Sequence, residues 1–364
     1  MKTRRPTIDD VAALAGVARV TVSRVLNGSG SVSPEVRGRV MHAVATLKYQ
    51  VNVQARALAG GRPKVVAIVF ATDVDTEPNS FYQSGLELGA LRACTGTGFQ
   101  LLAHAVNQTV PDPAGRILEL IEQGRCDGLI LTPPFSDDVE LLERLASGGT
   151  PVACVSAGAA TRGLAAGVRI DDEAGGHDLA RHLLELGHRR FGFIRGPERH
   201  MSADERFAGF RRALAEAGLG EAAYVAARGN FTFRSGVDLL PQLAGAPLRP
   251  TAVICGNDDM AVGALFSAHK LNLAVPGDIS IVGFDDTPIS EVIWPPLTTI
   301  HHPLKAIGYK AANLVFRQIE TPTKAAPPAH EIVPHTLVER ESSGPPAGLV
   351  QTPRRARGAS AAGR

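Results

Sequence analysis

Short apolar runs alternate with amphipathic segments along most of the chain, from Lys64 onward. Successive runs lie about 30 residues apart, which is typical of βα units whose strands build parallel sheets. They fall into two sets, before and after about residue 168, and so predict two doubly wound lobes. The predicted strands are Val65 to Ala71, Gln100 to Val106, Gly128 to Thr132, Val152 to Ser156, Phe191 to Arg195, Ala252 to Cys255 and Ile279 to Phe284.

The start of the chain has helical periodicity instead. Thr7 and Asp10 have the spacing of a capping box, which predicts that a helix begins after Thr7. Apolar residues at positions 8, 11, 12 and 15 share one face of this helix, and Gly16 allows the tight turn that ends it.

Two further helices follow. Val22, Val25 and Leu26 repeat at i, i+3 and i+4, and Ser33-Pro34 supplies an N-cap and a first-turn proline for a third helix. Two short helices joined by a glycine turn, with a third closing the core, form a helix-turn-helix. The second helix of that motif enters the major groove of DNA.

Helical geometry indicates which side chains of the second helix face outward. Val20 and Arg24 point away from the buried arc, and Ser23 lies to one side. Arg19 stands in the first turn, where its guanidinium suits bidentate contact with guanine. The alternative is that these are ordinary surface residues of a small helical domain.

Charge is distributed unevenly along the 364 residues, although the whole chain carries only +2. Residues 1–62 hold ten basic and three acidic side chains, a net charge of +7, and residues 343–364 add four arginines. The 280 residues between them therefore carry −9. A basic head on an acidic body indicates a nucleic-acid-binding module, although solvated helix faces also produce basic heads.

The segment from Tyr49 to Gly61 joins the head to the body. It has Asn52 as an N-cap, good helix formers and a double-glycine stop. A helix of about eight residues does not hold together alone in water, so we expect it to need a partner. The alternative is a plain interdomain linker.

The head contains the strings IDDVAALAGV at 8–17 and TVSRVLN at 21–27, which closely resemble the DNA-binding head of the LacI/GalR family of bacterial transcription regulators. The resemblance continues through the whole chain. The chain departs from the family at Ala18, where an N-cap serine is usual, and at Val51, where a proline is usual.

This resemblance implies a homodimer on a pseudo-palindromic double-stranded DNA operator. The linker is similar to the family's hinge helix, which pairs with its dimer mate in the minor groove and inserts a leucine between central base pairs, here Leu58. The tail lacks the leucine heptad that makes some relatives tetrameric. We expect DNA contacts from Thr7, Arg19, Val20, Thr21, Ser23, Arg24, Asn27, Asn52, Arg56 and Leu58.

The body resembles the family's effector domain, itself similar to periplasmic sugar-binding proteins. Ligands of doubly wound sheets bind at the carboxyl ends of strands, so the cleft between the lobes is the expected pocket. The resemblance thus implies a small-molecule effector, most simply a sugar or sugar derivative. The candidate effector-binding residues are Tyr82, Phe135, Ser156, Arg206, Phe231, Asn257 and Asp285.

Several charged residues at the strand ends also have a purely structural interpretation. Arg206 and Asp285 could instead form an internal salt bridge, and we expect Asp258 and Asp286 to cap the helices that follow them. Ser156 stands where some relatives have aspartate, which leaves the sugar preference open.

Several function classes find no support. The longest apolar run, Val65 to Ala71, is far too short to span a membrane. We expect no signal peptide, because Asp9 and Asp10 rather than an apolar stretch follow the basic N-terminus. The four widely spaced cysteines indicate buried thiols in a reducing cytoplasm. Neither a dinucleotide fingerprint, a P-loop, a nucleophile elbow nor a metal-ligand spacing is present, so we expect no enzyme, metal or cofactor.

The sequence therefore predicts an all-α helix-turn-helix head and an α/β two-lobed, periplasmic-binding-protein-like body with two doubly wound parallel sheets. The main hypothesis is a cytoplasmic, ligand-responsive repressor of carbohydrate-utilisation genes. Two alternatives remain open: a regulator that responds to a non-sugar metabolite such as a purine, and a solute-binding sensor without DNA function. The predicted boundaries are 1–48 for the head, 49–62 for the hinge, 63–168 with 298–327 for lobe 1, 169–297 with 328–342 for lobe 2, and 343–364 for a disordered tail.

Overall fold

A computed structural model describes residues 6–27, 32–47, 49, 64–72, 80–321 and 328–347. The chain divides into two compact units, Met1–Pro63 and Lys64–Arg364. In the described part of the chain, every helix falls short of the length and apolarity that a membrane crossing requires.

The first unit is the predicted three-helix head, with α1 at Ile8–Ala15, α2 at Arg19–Asn27 and α3 at Pro34–Leu47. The capping box is present: Thr7 Oγ1 accepts from the Asp10 amide, and the Asp10 carboxylate accepts from the Thr7 amide at 2.7 Å. Gly16 ends α1 in the left-handed region at φ 62°, as the turn requires. Val11, Val22 and Val40, one from each helix, are fully buried in the shared core.

The second unit contains all the strands of the described residues, and those that the sequence predicted are confirmed. The strands are β1 Val65–Thr72, β2 Gln100–Asn107, β3 Gly128–Leu131, β4 Val152–Val155, β5 Ala166–Arg169, β6 Phe191–Arg195, β7 Tyr224–Arg228, β8 Ala252–Cys255, β9 Ser280–Val282, β10 Thr299–His301, β11 His330–Ile332 and β12 Thr336–Val338.

Two parallel sheets organise this unit, as predicted. One has the order β11-β5-β4-β3-β1-β2, and the other has the order β7-β6-β8-β9. In each sheet the second strand of the chain lies outside the first, so the strand order reverses and creates a switch point for a ligand. We call the six-stranded sheet with its helices lobe 1 and the four-stranded sheet with its helices lobe 2.

Helices flank both sheets. They are α4 Ser80–Cys94, α5 Pro113–Glu122, α6 Val139–Ser147, α7 Asp172–Glu185, α8 Met201–Glu216, α9 Phe233–Ala244, α10 Asp258–Lys270, α11 Ile289–Val292 and α12 Leu304–Glu320. Helices α7 and α8 approach closely through glycines, because a Cβ on Gly176 would collide with the Arg206 carbonyl and one on Gly209 with the Glu173 carbonyl. This close contact fixes the backbone that carries Arg206.

The end of the chain differs from its prediction in two places. Strand β11 at His330–Ile332 pairs with β5 in lobe 1, although the sequence assigned residues 328–342 to lobe 2. The structure describes residues 343–347 of the predicted disordered tail. Ser343 Oγ lies 2.9 Å from His182 Nε2, and the Gly344 carbonyl accepts from His188 Nε2 at 2.8 Å. Buried polar groups of lobe 2 thus find their partners in this segment, which the composition of the tail did not reveal.

Candidate effector site and DNA-binding surface

Helix α2 presents the outward face that the sequence predicted. Val22 and Val25 are buried, whereas Arg24 is exposed and Val20 is 55% exposed. An apolar side chain this open on a small domain is available to a thymine methyl group or another apolar contact.

The remaining predicted DNA contacts have varied surroundings. Arg19 is exposed, with its Nε 3.8 Å from the Asp9 carboxylate, and Thr21 and Ser23 are half-buried. Thr7 is engaged in the capping box, and Asn27 ends α2. The hinge positions Asn52, Arg56 and Leu58 lie outside the described residues.

A cavity of about 280 Å³ lies between lobe 1 and lobe 2. Its walls come from the carboxyl ends of strands in both sheets, where the fold predicts a ligand. A volume near 300 Å³ lies at the small end of the range for ligand pockets. The lining residues are Phe70, Ala71, Thr72, Tyr82, Gln83, Gln108, Thr132, Pro133, Pro197, Glu198, His200, Ser202, Arg206, Asn230, Phe231, Thr232, Asn257 and Asp285.

Arg206 is buried at the floor of this cavity. Its Nε donates to Asp172 at 2.9 Å and its Nη1 donates to the Gly256 carbonyl at 2.6 Å, while the Asp285 carboxylate lies 3.8 Å away. The guanidinium also covers the Phe284 ring at 3.7 Å. Two carboxylates therefore lie near Arg206. The residue takes part in an internal salt bridge and also lines the cavity.

Asp285 occupies a position after β9 where its backbone is strained, with φ 114°. Its Oδ1 lies 3.1 Å from His302 Nδ1, and both side chains are buried. Burial raises the pKa of Asp285 to about 7, against the opposing effect of Arg206, and burial lowers the pKa of His302 to about 3. The imidazole is therefore neutral, and the pair is a hydrogen bond rather than an ion pair.

Asn257 joins two elements of the cavity wall. Its Oδ1 accepts from the Met260 amide at 3.0 Å and so caps α10, and its Nδ2 donates to the Phe231 carbonyl at 3.0 Å. Phe231 has φ 64°, and its ring contacts His200 edge-on at 5.7 Å. The amide thus holds the strained Phe231 backbone in place.

The expected capping roles of Asp258 and Asp286 are wrong. Asp258 Oδ2 accepts from the Thr287 amide and hydroxyl, and its Oδ1 accepts from Thr299 Oγ1 at 2.6 Å. Asp286 bonds Arg340 at 2.7 Å. The residue before Asp258 already caps α10, so the Asp258 carboxylate is free to tie the loop after β9 to other segments. The N-cap residue of α11 is Pro288, so Asp286 does not occupy the capping position.

The structure brings five of the seven candidate effector residues together around the cavity: Tyr82, Arg206, Phe231, Asn257 and Asp285. Phe135 is instead buried in the apolar core of lobe 1. Ser156 is buried beside Tyr82, whose phenol has a pKa raised by burial and by the nearby Asp285 carboxylate.

Sequence reasoning missed several polar residues of the wall, among them Thr72, Gln108, Thr132 and Asn230. Each stands at or just after the carboxyl end of β1, β2, β3 or β7. Applying the strand-end rule to every predicted strand would have found Thr72, Gln108 and Thr132. Asn230 follows β7, which was not among the predicted strands.

Two contacts join the lobes beside the cavity. The Asp137 carboxylate, which follows β3, accepts from the Met201 amide at the start of α8, at 3.0 Å. Arg162 of lobe 1 bonds Glu205 of lobe 2 at 2.5 Å. Both contacts reach the helix that carries Ser202 and Arg206.

Comparison with known proteins agrees with this architecture. Residues 7–52 match the model of bacterial regulatory proteins of the lacI family, and residues 180–343 match a periplasmic binding protein-like domain. The HTH-type transcriptional regulator DegA of Bacillus subtilis (strain 168) is 34% identical over 94% of this chain and 99% of its own length.

Two solved structures extend the comparison. A complex of the transcriptional regulator CelR with cellobiose has a TM-score of 0.69 and 31% identity, covering 93% of this chain and 100% of that one. The Lac repressor dimer bound to operator and the anti-inducer ONPF has a TM-score of 0.78 and 26% identity, covering 94% of this chain and 100% of that one. The chain belongs to the lacI family of bacterial regulatory proteins and is a helix-turn-helix DNA-binding transcriptional regulator.

Proposed function

We propose that this regulator acts as a homodimer on a pseudo-palindromic DNA operator, as a repressor of carbohydrate-utilisation genes whose affinity for DNA depends on a sugar in the interlobe cavity. The observation that carries the proposal is the cavity itself, walled by polar strand-end residues of both lobes, in a chain that also bears a helix-turn-helix head. A ligand that fits one arrangement of the lobes better than another shifts their populations. The cysteines in the described residues are all free and buried, which suits a reducing cytoplasm.

Within this proposal, Val20 and Arg24 read base edges, and Arg19, Thr21 and Ser23 support them. Leu58 of each hinge wedges the centre of the operator, and residues 49–62 form the hinge. Tyr82, Arg206, Phe231, Asn257 and Asp285 hold the sugar. Two relatives support the dimer on an operator and the sugar ligand: the Lac repressor dimer is bound to operator in one structure, and CelR is in complex with cellobiose in another.

A purine is the second candidate ligand, favoured by the aromatic rings of Phe70, Tyr82 and Phe231 in the cavity wall. Aromatic faces accept flat heterocycles as readily as sugar rings. The two candidates differ in the donors and acceptors that they need, so one screen separates them.

Thermal unfolding of the full chain against a panel of mono- and disaccharides and nucleobases tests the ligand. A compound at about 100 times its dissociation constant stabilises the folded protein by roughly 2.7 kcal/mol, a clear shift in Tm. We expect a sugar to produce it. A Tm shift produced by nucleobases alone would show that the ligand is a purine-like base rather than a sugar. A full chain that binds no operator would contradict the proposed action on DNA.

A further inference from the structure

The cavity holds very few positive charges. Arg206 is the only lysine or arginine among its described lining residues. Burial lowers the pKa of His200, so this imidazole is uncharged at neutral pH. An anionic ligand would therefore depend on Arg206 for its counter-charge.

Arg206 is already paired with a buried carboxylate. Its Nε is bonded to Asp172 and its Nη1 to the Gly256 carbonyl, and one face of the guanidinium covers Phe284. An incoming phosphate or carboxylate would have to share the guanidinium with this buried carboxylate, which lies 2.9 Å away, or displace it and leave it without a cation. Stranding a buried charge in this way is strongly unfavourable.

The wall also carries two carboxyl groups, one of which, Asp285, is ionised only in part at neutral pH because its pKa is about 7. Asp285 lies on the floor, and Glu198 is exposed in the loop after β6. Like charges brought together in a partly desolvated site repel each other. The field inside the cavity thus opposes an anion.

The remaining polar wall suits hydroxyl groups. Gln83 is half-buried and Gln108 exposed in lobe 1, and neither side-chain amide bonds another described residue. An amide offers two donors and an acceptor, and a hydroxyl is both donor and acceptor, so each can satisfy the other in either direction.

From this charge pattern we infer that the cavity accepts an uncharged polyhydroxyl compound and excludes its phosphorylated and carboxylated derivatives. The inference rests on the proposed sugar-binding function and narrows it. Arg206 serves to position Asp172 and Asp285 rather than to receive an anion, and Glu198 repels an anion that approaches the cavity.

Matched pairs of compounds test this directly on the full chain: ribose with ribose 5-phosphate, glucose with glucose 6-phosphate, and glucose with glucuronate. Dissociation constants come from the dependence of Tm on concentration, and release of operator is a second readout. Every sample contains the same concentration of inorganic phosphate, so that phosphate contacts with the basic head are equal. We expect the uncharged member of an active pair to bind at least about tenfold more tightly, which corresponds to about 1.4 kcal/mol.

An anionic member that binds as tightly as its parent, or more tightly, would overturn the inference while leaving the sugar proposal intact. Silence of every pair, together with the absence of a Tm shift from any sugar of the panel proposed above, would remove the sugar proposal and the inference with it. Glu198→Lys is the companion variant. Because the side chain is exposed, the fold should persist, and the ratio of the dissociation constants of the anionic and uncharged members should fall severalfold. An unchanged ratio in Glu198→Lys would contradict the electrostatic origin of the selectivity.

Discussion

Asp137 of lobe 1 caps a helix of lobe 2: its Oδ2 accepts from the Met201 amide at 3.0 Å, at the first residue of α8. Its Oδ1 accepts from the Gly158 amide at 2.7 Å within its own lobe. His200, the N-cap residue of α8, makes no side-chain capping bond of its own. One carboxylate therefore satisfies the start of α8 across the cleft and favours this arrangement of the lobes, in which both contribute to the cavity wall.

Removing this carboxylate should weaken ligand binding as well as stability. In Asp137→Ala, two backbone amides lose their acceptor, and we expect the free energy of unfolding to fall by about 1–2 kcal/mol. Because the arrangement of the lobes that forms the cavity becomes less populated, the affinity for the sugar should also fall. Thermal unfolding with and without the sugar measures both effects.

The neighbouring Asp138 gives a matched control. It caps α6 through the Leu141 amide at 3.0 Å, entirely within lobe 1. Asp138→Ala should lower stability by about 1 kcal/mol and leave the sugar affinity unchanged. Equal losses of sugar affinity in the two variants would show that the contact between Asp137 and Met201 does not favour the arrangement of the lobes that binds the sugar.

Buried carboxylates should make stability depend on pH. Burial raises the pKa of Asp258 to about 8, far above the value of about 3.9 in an unfolded chain. The folded chain thus holds a proton that the unfolded chain releases, so this contribution to stability is full below about pH 4 and is lost as pH rises through about 8. Asp285, with a pKa of about 7, acts in the same direction.

We therefore expect calorimetry to give a lower unfolding free energy at pH 9 than at pH 6, and a smaller decline in Asp258→Asn. The asparagine can keep its partners, because its oxygen can accept from the Thr287 amide while its NH₂ donates to Thr299 Oγ1. A variant with the full wild-type decline would exclude Asp258 as its source.

The pairing of Arg206 with Asp172 also makes a quantitative prediction. Arg206→Met leaves two buried carboxylates near an apolar side chain, so we expect a loss of about 3–5 kcal/mol in stability. In the double variant Arg206→Met/Asp172→Asn one of those charges is gone, and the loss should be smaller than the sum of the single losses. A strictly additive double-mutant cycle would refute the coupling.

Sequence patterns predicted the architecture well and the side-chain roles less well, for a physical reason. Capping boxes, apolar runs and helical periodicity are local, so α1, α2 and the parallel strands followed from them. The partner of Asp137 lies 64 residues away and that of Asp258 lies 41 away, and no local pattern encodes such pairs. Phe135 followed a strand as the site residues do, yet its apolar ring turned into the core of lobe 1.

Arg24 carries the base-reading prediction for the head. It is exposed on the outer face of α2, and loss of one bidentate arginine–guanine contact removes about 1–3 kcal/mol of discrimination. Arg24→Ala should thus bind a selected operator about 10- to 100-fold more weakly while its affinity for random DNA changes little. Arg37→Ala, an exposed arginine on α3, is the control: we expect it to preserve the preference for operator. Unaltered discrimination in Arg24→Ala would remove this residue from the base-reading set.

The most direct test of the central claim is the affinity of the full chain for its operator, selected from random duplex DNA, with and without a saturating sugar. Coupling energies between two such sites are about 1–3 kcal/mol, so we predict a change of at least about fivefold in operator affinity. Linkage also requires that operator alter sugar affinity by the same factor. An operator affinity that stays constant while calorimetry shows the sugar bound in the cavity would contradict ligand control of DNA binding.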